Sequence, residues 1–162
     1  MGDYQYRQIR DPISQGSAIC FFQYLCLGHS DCGKVSDGPN GARGGDFFDG
    51  TTAACFPACV SLAATFNRDL SRRIGVALAE EAQTKGAYAL LGPTVCGHRS
   101  PLGGRNFESF SEDPLLTGLL ASEYVRGLQS ERVAATVKHF VANEQDTKRF
   151  SVNEKISQRA LR

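Results

Sequence analysis

The sequence carries almost no excess of charge: 18 Lys and Arg stand against 17 Asp and Glu, for a formal net charge of +1. A surface that tracks phosphates needs a clustered basic excess, so no nucleic acid is expected as a partner. Long apolar runs are missing as well. Nothing approaches the ~18–20 residues of a membrane span, and no membrane is expected as a partner either. An export signal is also lacking. After Met1-Gly2-Asp3-Tyr4-Gln5-Tyr6-Arg7, the apolar stretch Ile19-Cys20-Phe21-Phe22 is broken at once by Gln23. The sequence as written is expected to stay in the cytoplasm, and to be extracellular if its true amino terminus differs. No repeat or low-complexity tract occurs. No Gly-x-Gly-x-x-Gly turn links a strand to a helix, so a dinucleotide fold has no support and no cofactor is expected.

Cysteine is present, but its pattern is incomplete. The six residues Cys20, Cys26, Cys32, Cys55, Cys59 and Cys96 would suggest disulfides in a small secreted protein, which the missing export signal argues against. Cys26-x2-His29-x2-Cys32 offers three ligand types of a zinc site without a fourth at structural-zinc spacing. Free thiols are the expectation, and no metal.

What is there suits one globular domain or part of a larger one: 162 residues, 41% hydrophobic and 22% charged. Residues 1–34 show no clean period of 2 or 3.6 and form a divergent segment of unknown role. Residues 35–162 are regular. A Gly/Pro loop, Ser36-Asp37-Gly38-Pro39-Asn40-Gly41-Ala42-Arg43-Gly44-Gly45, precedes a short apolar stretch at Phe47-Phe48. Phe66, Leu70, Ile74, Ala77, Leu78 and Ala82 then make one helical face. Asn67 is its N-cap, Asp69 lies in the first turn, and Lys85-Gly86 end it. Gly75, in mid-helix, predicts close packing.

Ala87-Tyr88-Ala89-Leu90-Leu91 reads as a buried strand stopped by Gly92-Pro93. The loop from Gly92 to Glu112 is long enough to suggest a functional loop. Asp113 and Pro114 open a second helix carrying Leu116, Leu119, Leu120, Glu123 and Leu128. Val133-Ala134-Ala135-Thr136-Val137 is the next strand, and a third helix is expected from near Asn153 to Arg162. The alternation implies an α/β fold with parallel strands and crossover helices. Too few strands are visible to close an eight-stranded barrel, which takes ~250 residues.

Polar groups collect where these strands end. Asp37 closes the first, Arg99, Arg105 and Glu108 lie in the loop after Leu91, and Lys138-His139 follow the last. Asp37 accepts two O–H bonds, Arg105 and Lys138 only donate, and His139 does either according to tautomer. Such a mixture suits the alternating hydroxyls of a sugar. Each residue also has a structural alternative. Asp37 before Gly38-Pro39 can be a turn former, and Arg105 can pair with Glu108 or Glu112. Lys138 can be solvated, and His139 can be a satisfied core histidine.

Leu91-Gly92-Pro93-Thr94, and then the run from His98-Arg99-Ser100-Pro101-Leu102-Gly103-Gly104-Arg105 through Asn106-Phe107-Glu108-Ser109-Phe110-Ser111-Glu112-Asp113-Pro114, resemble the signature of family 3 glycoside hydrolases. Ser36-Asp37-Gly38-Pro39-Asn40-Gly41, Phe56-Pro57, Leu62-Ala63-Ala64-Thr65-Phe66 and Val137-Lys138-His139-Phe140 fit the same family in the same order. The resemblance covers Val35 to Arg162 and points to the fungal β-glucosidase type. It implies the amino-terminal part of a (β/α)8 TIM-type barrel, truncated here. Asp37, Arg105, Lys138 and His139 would hold the non-reducing glucosyl unit of a β-glucoside or oligosaccharide substrate. Arg99 and Glu108 would support the loop, with Arg149 a weaker candidate for the cleft rim.

Retaining glycosidases need two carboxyl groups, a nucleophile and an acid/base. In the resembling family the nucleophilic Asp lies well beyond the Lys-His motif, and the acid/base comes from a following domain. No catalytic residue is therefore expected in this chain, and Glu144 and Asp146 have no family match as nucleophile. Three readings follow: a β-glucosidase by descent that is inactive as this chain alone, a non-catalytic remnant that at most binds sugar, or an interaction subunit that self-associates through open sheet edges.

Overall fold

Capping chemistry fixes both long helices where the sequence puts them. The computed structural model describes residues 4–7 (backbone only), 34–44 and 51–161. The Cys26/His29/Cys32 cluster and Phe47-Phe48 lie outside the described residues. In chain order the elements are β1 (Tyr4–Arg7), β2 (Lys34–Asp37), α1 (Cys59–Ala63), α2 (Arg68–Thr84), β3 (Ala87–Leu91), a 3₁₀ turn (Asn106–Glu108), α3 (Pro114–Ser130), β4 (Ala134–Ala135), β5 (Asn153–Ile156) and α4 (Gln158–Leu161). The Asn67 side chain accepts the Leu70 N–H at 3.0 Å, and Asp113 Oδ1 accepts the Leu115 N–H at 2.9 Å with Pro114 at the first position of α3. Each cap satisfies an otherwise orphaned donor. Gly86 takes φ +68° just past α2, a conformation glycine adopts without a Cβ clash.

β2, β3 and β4 form one parallel sheet in that order, with Asp37 opposite Leu91 and Leu90 opposite Ala135. Helices α2 and α3 are the crossovers and pack on each other. Their backbones meet at two glycines: a Cβ on Gly75 would lie 2.3 Å from the Tyr124 carbonyl oxygen, and one on Gly127 would lie 2.2 Å from that of Arg72. The mid-helix glycine thus marks a close approach. Beneath it Leu78, Leu90, Leu120, Tyr124 and Leu128 are fully buried, each stabilising the fold by roughly 1.5–3 kcal/mol through removal of apolar surface from water.

Three expectations are corrected. Asn153 does not open a helix: β5 runs antiparallel to β1, with Tyr4 opposite Ile156. A distant partner supplies backbone hydrogen bonds there, and helix begins only after Ser157, whose hydroxyl accepts the Ala160 N–H. Phe66 does not join the buried face of α2. It sits one residue before the cap at φ +51° and is 73% exposed. The strand expected over Val133–Val137 narrows to the Ala134–Ala135 ladder, and pairing resumes at Lys138, which bridges Thr94 in parallel. The short helix α1 was not legible, because five residues give too little periodicity. Among the described residues no helix is long and apolar enough to cross a membrane.

Candidate functional site

The parallel register carries the polar groups to one end of the sheet. Asp37 is the last residue of β2, and its following loop is pinned from two sides. The fully buried Tyr124 donates its hydroxyl to the Pro39 carbonyl at 2.7 Å. From α2, Glu81 accepts the N–H groups of Ala42 and Ala54, while Lys85 donates to the Ala42 carbonyl. Burial raises the Glu81 carboxyl, but the two N–H donors and the Lys85 ammonium 3.3 Å away outweigh it and leave it below its usual range.

Four charges then alternate in sign across the strand ends. Lys138 Nζ donates to Asp37 Oδ1 at 3.0 Å and stands 3.6 Å from Glu108 Oε2. Glu108 Oε1 accepts from Arg105 Nε, and the Thr94 hydroxyl donates to Glu108 Oε2 at 3.2 Å. The Glu108 side chain is only 7% exposed, so its neighbours neutralise a carboxylate largely removed from water. Arg43 Nη2 lies 3.9 Å from Asp37 Oδ2 on the outer side.

Beside this chain of charges lies a cleft lined by Thr94, Cys96, Gly97, Arg105, Asn106, Ser109, His139 and residues 143–146. His139 Nδ1 is 3.6 Å from Cys96 Sγ. Burial first, then the charges of Arg105 and Lys138, push the imidazole pKa down to about 4. The unfolded chain, with His near ~6.5, therefore binds the proton first. Between about pH 6.5 and about pH 4 the unfolded state holds more protons, so stability falls as the solution is acidified through that window. His139→Gln is expected to flatten this part of the stability profile. Urea unfolding across the window checks it, and an unchanged slope in the variant would contradict the assignment.

The structure thus brings Asp37, Arg105, Lys138 and Glu108 into one network, with Arg105 and His139 on the cleft wall. Asp37 and Lys138 adjoin the cleft through Glu108 and Arg105, and the Asp37 carboxylate is 34% exposed. Arg99 pairs with Glu144 at 3.0 Å, and Arg149 with Asp146 at 3.1 Å, so both arginines act on the cleft through a carboxylate that lines it. Sequence reasoning missed Cys96 and Asn143 as lining residues. Nothing local marks them, since they reach the cleft from opposite sides of the loop pairing between Val95 N–H and the Lys138 carbonyl. Cys55, Cys59 and Cys96 are free thiols, and Cys59, buried against the Asn40 side chain, has its pKa pushed up to about 12. Among the described residues no group of three His, Cys, Asp or Glu side chains is placed to hold a metal.

Comparison with known proteins gives a consistent result. Residues 41–161 match the model of the glycosyl hydrolase family 3 N terminal domain. β-Glucosidase B of Emericella nidulans is 65% identical over 129 residues, covering 80% of this chain and 15% of that protein. The β-glucosidase of Kluyveromyces marxianus is 55% identical over 170 residues, covering all of this chain and 20% of that protein. The crystal structure of the latter in complex with glucose superposes with a TM-score of 0.69 over 70% of this chain and 14% of that one. β-Glucosidase 3B from Thermotoga neapolitana in complex with glucose gives 44% identity and a TM-score of 0.64, over 69% and 16% of the two chains. The chain spans about 15–20% of the length of the curated relatives it matches.

Proposed function

This chain belongs to glycosyl hydrolase family 3, and from that premise we propose that its charged cleft holds the terminal, non-reducing glucosyl unit of a β-glucoside or oligosaccharide within a retaining β-glucosidase. The parallel sheet β2–β3–β4 is, in this reading, part of a (β/α)8 barrel whose active face lies at the carboxyl ends of the strands. One observation carries the reading: Asp37, Lys138, Glu108 and Arg105 alternate in charge across those ends, with His139 beside them. Asp37 accepts from sugar hydroxyls, Lys138 and Arg105 donate, and Glu108 holds both cations in place. Arg99 and Arg149 hold the cleft carboxylates Glu144 and Asp146.

A second reading, sugar binding without catalysis by this chain, is favoured by the pairing of every described cleft carboxylate with a cation. Both readings predict glucose affinity. Asp37→Ala and Lys138→Ala each remove one partner of a charge-assisted hydrogen bond, which typically costs ~2–5 kcal/mol, a loss of about 30-fold or more. The larger effect is expected for Lys138→Ala, since its ammonium is the more buried of the two. Titration calorimetry with glucose measures it, and unchanged affinity in both variants would remove these residues from the site.

A further inference from the structure

Cys96 has no part in the sugar reading so far, yet it lines the cleft and touches His139. Resting on that reading, we propose that Cys96 is a positioning residue: its S–H donates to His139 Nδ1 and holds the ring as the tautomer with its proton on Nε2, so that His139 offers a donor to a sugar hydroxyl.

The 3.6 Å Sγ···Nδ1 contact admits two hydrogen placements. In one the thiol donates to a bare Nδ1. In the other Nδ1–H points at sulfur, a weak acceptor. The first is favoured because it uses the imidazole nitrogen as acceptor and asks nothing of the weakly accepting sulfur. Both groups are also neutral near pH 7. Burial raises the thiol pKa so that the S–H persists, and the lowered imidazole pKa leaves one ring nitrogen bare. A free imidazole exchanges between both tautomers, whereas this contact selects one. In the same cleft lining, Asn143 Oδ1 is buried and, among the described residues, without a hydrogen-bond partner. The cleft lining therefore holds a polar acceptor as well as the His139 ring.

The test uses the full chain, ¹⁵N-labelled, with long-range ¹⁵N–¹H spectra of His139 at neutral pH. The expected result is a single tautomer with Nδ1 bare and Nε2 protonated, and an infrared S–H stretch of Cys96 shifted down from that of a free thiol. Cys96→Ala is expected to populate both tautomers and weaken glucose binding about threefold to tenfold. Cys96→Ser, which keeps a donor, restores the single tautomer. A wild-type ring protonated on Nδ1, or a tautomer unchanged in Cys96→Ala, overturns the inference. The wild-type spectrum decides even if the alanine variant does not fold. Absence of glucose binding by a wild type that shows the expected tautomer overturns the sugar reading and not the Cys96–His139 contact.

Discussion

Glu108→Ala is expected to destabilise the chain by about 3–5 kcal/mol, the usual cost of removing one partner from a buried ion pair. The carboxylate is nearly buried and serves three groups at once: Arg105, Lys138 and the Thr94 hydroxyl. Without it the Lys138 ammonium, itself 14% exposed, keeps only Asp37 as counter-charge among the described residues. Arg105, 29% exposed, can regain part of its hydration and so softens the loss. Glu108→Gln keeps the shape and an acceptor oxygen but loses the charge, and is expected to fall between wild type and alanine. Urea unfolding of the three proteins gives the order. A Glu108→Ala midpoint equal to wild type would mean that the network is solvated and contributes little, as exposed pairs do. Glucose affinity should fall in parallel, because both donors lose their orientation.

No turnover of an aryl β-glucoside is expected from the 162-residue chain. Retention requires a nucleophilic carboxylate and an acid/base carboxyl ~5–5.5 Å apart, the first aimed at the anomeric carbon. The described carboxylates in and beside the cleft are committed elsewhere. Asp37 is held by Lys138, Glu108 by Arg105, Glu144 by Arg99 and the Gly97 N–H, and Asp146 by Arg149. By contrast, a chimera in which this chain replaces the matching segment of the Kluyveromyces marxianus β-glucosidase is expected to be active. Asp37→Asn in the chimera should lower kcat/KM by about 30-fold or more, the kinetic counterpart of a lost charged hydrogen bond. Turnover by the short chain that vanishes on Asp37→Asn would instead place a catalytic carboxylate at Asp37.

The elements that could be placed from the sequence are those with short-range causes. Asn67, Asp113-Pro114 and Lys85-Gly86 bound their helices because a cap needs only its own side chain and the next turn of backbone. Ala87–Leu91 is a strand because an apolar run stopped by Gly92-Pro93 has little other use. Asp37, Arg105, Lys138 and His139 were legible as candidates only, since strand ends and side-chain donor inventories are local properties. Their mutual geometry was not. Lys138 reaches Asp37 across 101 positions of sequence, and it does so because β2 and β3 pair with Asp37 opposite Leu91 while Thr94 bridges Lys138. The helices that connect these strands pack closely at Gly75 and Gly127; Gly75 signals that closeness locally, but nothing local names Gly127 as its partner. The same holds for β5, whose four residues become a strand only because Tyr4–Arg7 supplies its hydrogen bonds. Cys96 meets His139 for the same reason. Capping and periodicity act within a turn or two of chain and are fixed by composition there, whereas ion pairs and tautomers depend on which distant backbones lie side by side, and only the folded chain brings those together.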